Sequence, residues 1–188
     1  MRKLKLQVQI SVDGYMAGEN GEMDWMVWDW TNDLKEYIAQ ITTPVDTIFL
    51  GRNLAQGFIP YWTDALNKPE PEEGANKMVE TPKVVFSKSL AKSEWDNTVL
   101  ASGDLVDEVN KIKKLKGKDI IVYGGGTFVS SLIKAGLIDE YNLLINPVAI
   151  GNGMPIFAEL KNIQNLKLKI VRQFDCGIAL LCYEIKQD

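Results

Sequence analysis

The chain has 188 residues, 46% of them hydrophobic and 24% charged, with a net charge of −4. That is the composition of a globular protein with a real core, and it excludes a disordered chain. The acidic balance excludes charge-driven binding to nucleic acid or anionic membranes, so any phosphate site is local.

Leu4 to Val12 alternates apolar and polar residues, which predicts a strand with one strongly apolar face. Asp13-Gly14 ends it, and Gly14, Gly18 and Gly21 mark a long loop that carries Trp25, Trp28 and Trp30. These tryptophans read either as the wall or lid of an apolar pocket or as a plug over the core. Thr31 to Ile41 predicts a helix capped by Thr31 or Asn32. Asp46 to Gly51 is a short, continuously apolar strand of the kind found inside a parallel sheet. A second helix is expected from Leu54 to about Phe58, ending before Pro60. Residues 63–82 read as a surface excursion with a short helix near Ala75–Val79.

Lys83–Ser87 and Asn97–Ala101 are the next strands, and Asp104–Lys116 is an amphipathic helix stopped by Gly117. Ile120 to Tyr123 is a strand, Gly124-Gly125-Gly126 a turn, and Thr127 to Gly136 a helix. Glu140–Val148 is a sixth strand. Leu166–Phe174 and Ile178–Ile185 close the chain as a hairpin around Asp175-Cys176-Gly177. The fold class is therefore α/β: one domain over residues 1–188, with a mostly parallel sheet, flanking helices and a C-terminal antiparallel hairpin. Ligands of such sheets bind beyond the carboxyl ends of the strands. The loops starting at Asp13, Gly51, Ser87, Ala101 and Gly124 all leave those ends.

No histidine is present, which removes the commonest general base and zinc ligand. Cys176 and Cys182 are six apart, too far to bridge along a strand, and read as buried free thiols. No apolar run approaches the ~18–20 residues of a membrane span. The N-terminus continues into alternation rather than a signal core, so a cytoplasmic protein is expected.

Gly124, Gly125 and Gly126 read as a phosphate cradle at a helix N-terminus, with Thr127 adding a hydroxyl, or as a tight turn. They do not form the G-x-G-x-x-G pattern after the first strand. Arg52, after Gly51, suits a bidentate phosphate contact or a surface salt bridge. Lys88, between Ser87 and Ser89, suits a monophosphate such as the one that distinguishes NADP from NAD. Asp33 has two readings: a carboxyl with a raised pKa that relays a proton, or a helix-dipole partner. Asp13 and Asp24 are similarly divided between turn formation and function.

Together these residues resemble the dihydrofolate reductase-like superfamily over most of the chain. Ile10-Ser-Val-Asp-Gly-Tyr-Met-Ala-Gly18 and Asp24-Trp25 resemble the reductase domain of the bifunctional riboflavin-biosynthesis deaminase/reductase. So do Leu50-Gly-Arg52, Phe86-Ser-Lys88, Val122 to Thr127 and Gly151 to Phe157. The resemblance implies bound NADPH, with Gly51 and Arg52 near its phosphates and Ser87 and Lys88 near the 2′-phosphate. It places Gly124 to Thr127 at the pyrophosphate and nicotinamide side, and Asp13, Asp24 and Trp25 on the substrate side. It also implies a homodimer and reduction of 5-amino-6-(5-phosphoribosylamino)uracil, with Asp33 and Asp13 as catalytic candidates. The zinc motif of a deaminase half cannot be built without histidine. A second likeness, of Trp28 to Leu34 to a segment of true dihydrofolate reductases, makes Asp33 a pteridine-binding acid, although Trp30-Thr31 replaces the usual Leu-Pro. The alternatives are thus a dihydrofolate or pterin reductase, and an NADP-binding protein without turnover.

Overall fold

The computed structural model describes residues 1–186. In chain order it contains β1 (Leu4–Ile10), α1 (Asn32–Thr42), β2 (Val45–Gly51), α2 (Arg52–Leu66), α3 (Ala75–Glu80), β3 (Lys83–Phe86) and β4 (Thr98–Ala101). There follow α4 (Leu105–Lys114), β5 (Asp119–Val122), α5 (Gly126–Lys134), β6 (Glu140–Ile145), β7 (Leu166–Gln173) and β8 (Ala179–Ile185). The strands form one eight-stranded sheet in the order β4-β3-β2-β5-β1-β6-β8-β7. Neighbours from β4 to β6 are parallel; β8 runs against both β6 and β7. This is the expected architecture, with the hairpin turning at Gly177, whose φ is +88°.

Strand alternation sends successive side chains to opposite faces. On one face Leu4, Leu6, Val8, Ile120, Val122 and Leu143 pack with Val109 of α4 and Val129, Leu132 and Ile133 of α5 in one continuous cluster. On the other face the apolar packing is split. Leu34, Tyr37 and Ile41 of α1 pack on Leu144, Leu180 and Cys182. Ala55 and Ile59 of α2 pack on Ile48, Leu50, Val85 and Ile121. Between these two groups lies β1, which turns Lys5, Gln7 and Gln9 to this face.

Two expectations need correction. The second helix does not stop before Pro60; α2 continues to Leu66 with Pro60 inside it. Proline removes one backbone donor, the partner of the Gln56 carbonyl four residues earlier. Gln56, Gly57 and Pro60 are all exposed, so water can take that role, while Ile59 and Ala65 stay buried. Cys176 is only half-buried, in the hairpin turn, whereas Cys182 is buried in β8; both are free thiols.

Candidate functional site

Because β4, β3, β2, β5, β1 and β6 are parallel, their carboxyl ends share one edge. Gly51 pairs in register with Phe86, which brings Ser87 and Lys88 beside the start of α2. Gly51 is the N-cap of α2 and Gly125 the N-cap of α5, and neither helix has a side-chain cap or an acidic residue in its first turn. Helix α4 differs: Asp104 accepts from the amides of Val106 and Asp107, and Asp107 and Glu108 occupy the first turn. The starts of α2 and α5, on adjacent strands, therefore leave amide donors and positive dipole ends for an outside anion.

Gly51 and Gly125 are required sterically. A Cβ on Gly51 would lie 2.8 Å from Cβ of Phe128, so β2 and α5 meet only because Gly51 lacks one. Gly125 adopts φ 89° and ψ 92°, outside the range of ordinary L residues. Gly126 faces the sulfurs of Met16 and Met154, each 3.5 Å from where its Cβ would be. Those methionines come from two loops joined by backbone bonds, Met16 N–H to Met154 O (2.9 Å) and Met154 N–H to Ala17 O (2.9 Å).

Arg52, Lys88 and Thr127 are exposed at this edge. Among the described residues neither Arg52 nor Lys88 enters an ion pair. Ser87 behaves differently. It is buried, and its Oγ accepts from the amides of Ser89 (3.2 Å) and Leu90 (3.1 Å), shaping the turn that presents Lys88. Two uncapped helix starts and two unpaired cations fit an anionic dinucleotide.

The carboxylates are occupied otherwise. Asp13 accepts from the amides of Ile150 (3.2 Å) and Gly151 (2.7 Å), bracing the two loops. The hydroxyl of Ser11 and those amides hold its pKa below the ordinary value. Asp33 accepts from the hydroxyl of Thr31 (2.5 Å) and the amides of Leu34 (2.9 Å) and Asp175 (3.0 Å). The Thr31 hydroxyl is the largest influence on its pKa, which is lowered rather than raised. The raised-pKa reading of Asp33 is thus overturned, because polar donors rather than an apolar wall surround the carboxylate. Its partner turn joins β8 to β7, three strand positions from β5, or roughly 14 Å at about 4.8 Å per strand. Asp24 is exposed, and Trp25 is half-buried with its indole N–H donating to Glu22 O at 3.1 Å.

A family model described as the RibD C-terminal domain matches residues 2–180. The chain belongs to the RibD C-terminal domain family. It is 36% identical over 187 residues to the uncharacterized protein YyaP of Bacillus subtilis (strain 168), covering 97% of this chain and 94% of that one. A Shewanella sp. PV-4 protein assigned by name to riboflavin biosynthesis superposes with a TM-score of 0.74 at 22% identity, over 100% of both chains. The Thermotoga maritima diaminohydroxyphosphoribosylaminopyrimidine deaminase/5-amino-6-(5-phosphoribosylamino)uracil reductase superposes with a TM-score of 0.71 at 16% identity. That match takes in 98% of this chain and 57% of the longer one. The fold is therefore that of the dihydrofolate reductase-like superfamily, as the motifs indicated.

Sequence reasoning passed over one feature of this RibD-type domain. Gln7 and Gln9 are 7% and 9% exposed, and among the described residues the Oε1 of each has no hydrogen-bond partner. An unpaired buried acceptor costs about 1–3 kcal/mol. The signal was present as the polar half of the alternation in β1. It became informative only once β1 was seen at the centre of a sheet covered on both faces.

Proposed function

We propose that this protein is an NADPH-dependent reductase. The observation that carries the reading is the pair of uncapped, acid-free helix starts at Gly51 and Gly125, flanked by the unpaired Arg52 and Lys88. Gly51, Gly124, Gly125, Gly126 and Thr127 would offer backbone or hydroxyl donors to the cofactor phosphates. Arg52 would add a bidentate contact, and Lys88, set by the Ser87 turn, would bind the 2′-phosphate. When bound, NADPH supplies hydride to a C=N or C=O carbon. The chain's residues hold the two reactants in register and exclude water from between them.

The substrate class favoured by family membership is a riboflavin-type aminopyrimidine ribotide such as 5-amino-6-(5-phosphoribosylamino)uracil, with Asp24 and Trp25 on its side of the site. The pterin reading leaned on Asp33, whose three bonds within the fold leave that carboxylate less suited to bind a ring. The same reading makes the protein a cytoplasmic homodimer. Exposed Leu168 and Val171, on one face of the outermost strand, supply apolar surface for association.

Fluorescence titration with NADPH and NADH, followed by NADPH oxidation with the ribotide and with dihydrofolate, tests the reading. NADPH is expected to bind more tightly than NADH and to be consumed with the ribotide. Equal affinities would remove the 2′-phosphate assignment, and tight binding without turnover on either compound would favour a binding protein.

A further inference from the structure

We infer that Met154 is an oxidation site, and that converting its thioether to the sulfoxide weakens cofactor binding. The inference rests on the reductase reading for the identity of the ligand. It gives a role to a residue which that reading leaves without one.

Access and placement come first. Met1, Met23 and Met154 are the exposed methionines among the described residues, with Met154 38% exposed, whereas Met16 is buried. The backbone of Met154 is held on both sides. Its N–H donates to Ala17 O, its carbonyl accepts from Met16 N–H, and the next residue, Pro155, forms a bridge with Tyr15. A Cβ on neighbouring Gly153 would lie 2.3 Å from Ala17 O, so the two loops touch with no slack. The sulfur is therefore kept over Gly126, the first residue of α5. Both sulfurs stand 3.5 Å from where a Gly126 Cβ would be, so the bare glycine leaves room for about one atom between them and the helix. The first amide of α5 with a backbone partner is Val129 N–H, which donates to Gly125 O at 2.9 Å. Among the described residues the amides of Gly126, Thr127 and Phe128 have no acceptor, and they are the donors proposed for the cofactor phosphates.

The oxidant is a peroxide. A sulfur lone pair attacks one peroxide oxygen, the S–O bond forms and the O–O bond breaks. Sulfur gives up an electron pair, and the other oxygen takes that pair and a proton and leaves as water or an alcohol. The product is a polar side chain with a strong acceptor where an apolar one stood. An oxygen on Met154 that turns into the gap at Gly126 stands beside the unpaired amides and accepts from them. The positive end of the helix dipole favours its partial negative charge. A phosphate must then displace an acceptor that belongs to the protein, and cofactor affinity falls. Met16 shares the gap but is shielded, so Met154 reacts first.

The test uses Met154→Leu, which resists oxidation, and Met154→Gln, whose amide oxygen stands in for the sulfoxide. NADP+ is titrated by calorimetry into untreated wild type and both variants, and into wild type and Met154→Leu after limited hydrogen peroxide. Peptide mass mapping locates the sulfoxides. Wild-type affinity is expected to fall roughly tenfold on oxidation, against less than about twofold for Met154→Leu compared with its own untreated form. Methionine sulfoxide reductase should restore it. Met154→Gln should bind weakly without oxidant, and saturating NADP+ should lower the sulfoxide yield at Met154. If Met154→Gln melts well below wild type, treated wild type against treated Met154→Leu decides. An equal loss in those two proteins overturns the inference. So does a well-folded Met154→Gln that binds as wild type does, or the absence of sulfoxide at Met154 when Met1 and Met23 are oxidised. NADP+ binding that survives complete oxidation of Met154 overturns the inference alone and leaves the cofactor reading standing. Untreated wild type that does not bind NADP+ strikes the cofactor reading itself, and the inference falls with it.

Discussion

Lys88 stands exposed at the end of a turn that Ser87 holds rigid through two backbone bonds. A charge presented this way would suit the proposed 2′-phosphate without needing burial. Lys88→Ala is expected to weaken NADPH binding about tenfold and leave NADH nearly unchanged, as read by titration with each cofactor. Asp33 has the opposite character, with its acceptor capacity spent inside the fold. Asp33→Ala should lower the melting temperature by releasing α1 from the hairpin turn, with turnover at saturating NADPH unchanged; a large fall in rate would restore it to catalysis. Because the folded pKa of Asp33 is depressed, its contribution is fully present above the unfolded value near 3.8. It is lost as pH falls below that value and through the folded one. Lys83, 3% exposed, donates to Val79 O and Thr81 O, and burial pushes its pKa down to about 8 from 10.5. The unfolded chain then holds more protons between those values. The Lys83 contribution should rise from about pH 8 to pH 10.5, by an amount on the order of 3 kcal/mol, while Cys182, whose pKa burial pushes up to about 11 from 9.0, works in the opposite direction above pH 9. Urea unfolding across that range should show the stability difference between wild type and Lys83→Met changing in favour of wild type as pH rises.

At the scale of elements, periodicity located the strands and every helix but α2 to within a few residues because apolar burial in each is one-sided or complete. Pro60 misled because proline was taken as a stop. In α2 it sits on the water-facing side, where the lost hydrogen bond is cheapest, and burial of Ile59 and Ala65 carries the helix past it. Pro60→Ala should therefore restore the bond to Gln56 and raise stability by about 1–3 kcal/mol in urea unfolding, with cofactor affinity unchanged. The glycine turn was legible for a clearer reason. Strand, three glycines and helix leave few conformations other than an open helix start, and the close approach of Gly51 to Phe128 then seats that start against α2.

At the scale of the whole molecule, ligand binding to the folded state alone must stabilise it. NADPH at about 100 times its dissociation constant should add about 2.7 kcal/mol to unfolding, and NADH at the same concentration distinctly less. Thermal shifts with the two cofactors give this independently of any substrate. Sedimentation would show whether the face of β7 that exposes Leu168 and Val171, brought together by the bulge before Ile170, is covered by a second copy as the homodimer reading expects.

The sequence by itself determined the order of elements, the parallel class of the sheet and the motifs of the family, because these depend on local periodicity and on residue types at fixed spacing. It also named the residues of the proposed anion-binding edge, since glycines and cations at strand ends announce themselves locally. Only the tertiary structure decided what Asp13 and Asp33 do, because their partners, Gly151 and Asp175, lie more than a hundred residues away. Only the structure showed Gln7 and Gln9 to be buried acceptors. Alternation tells which residues share a face of β1, but whether that face meets water or a second layer of helices depends on where the strand falls in the sheet.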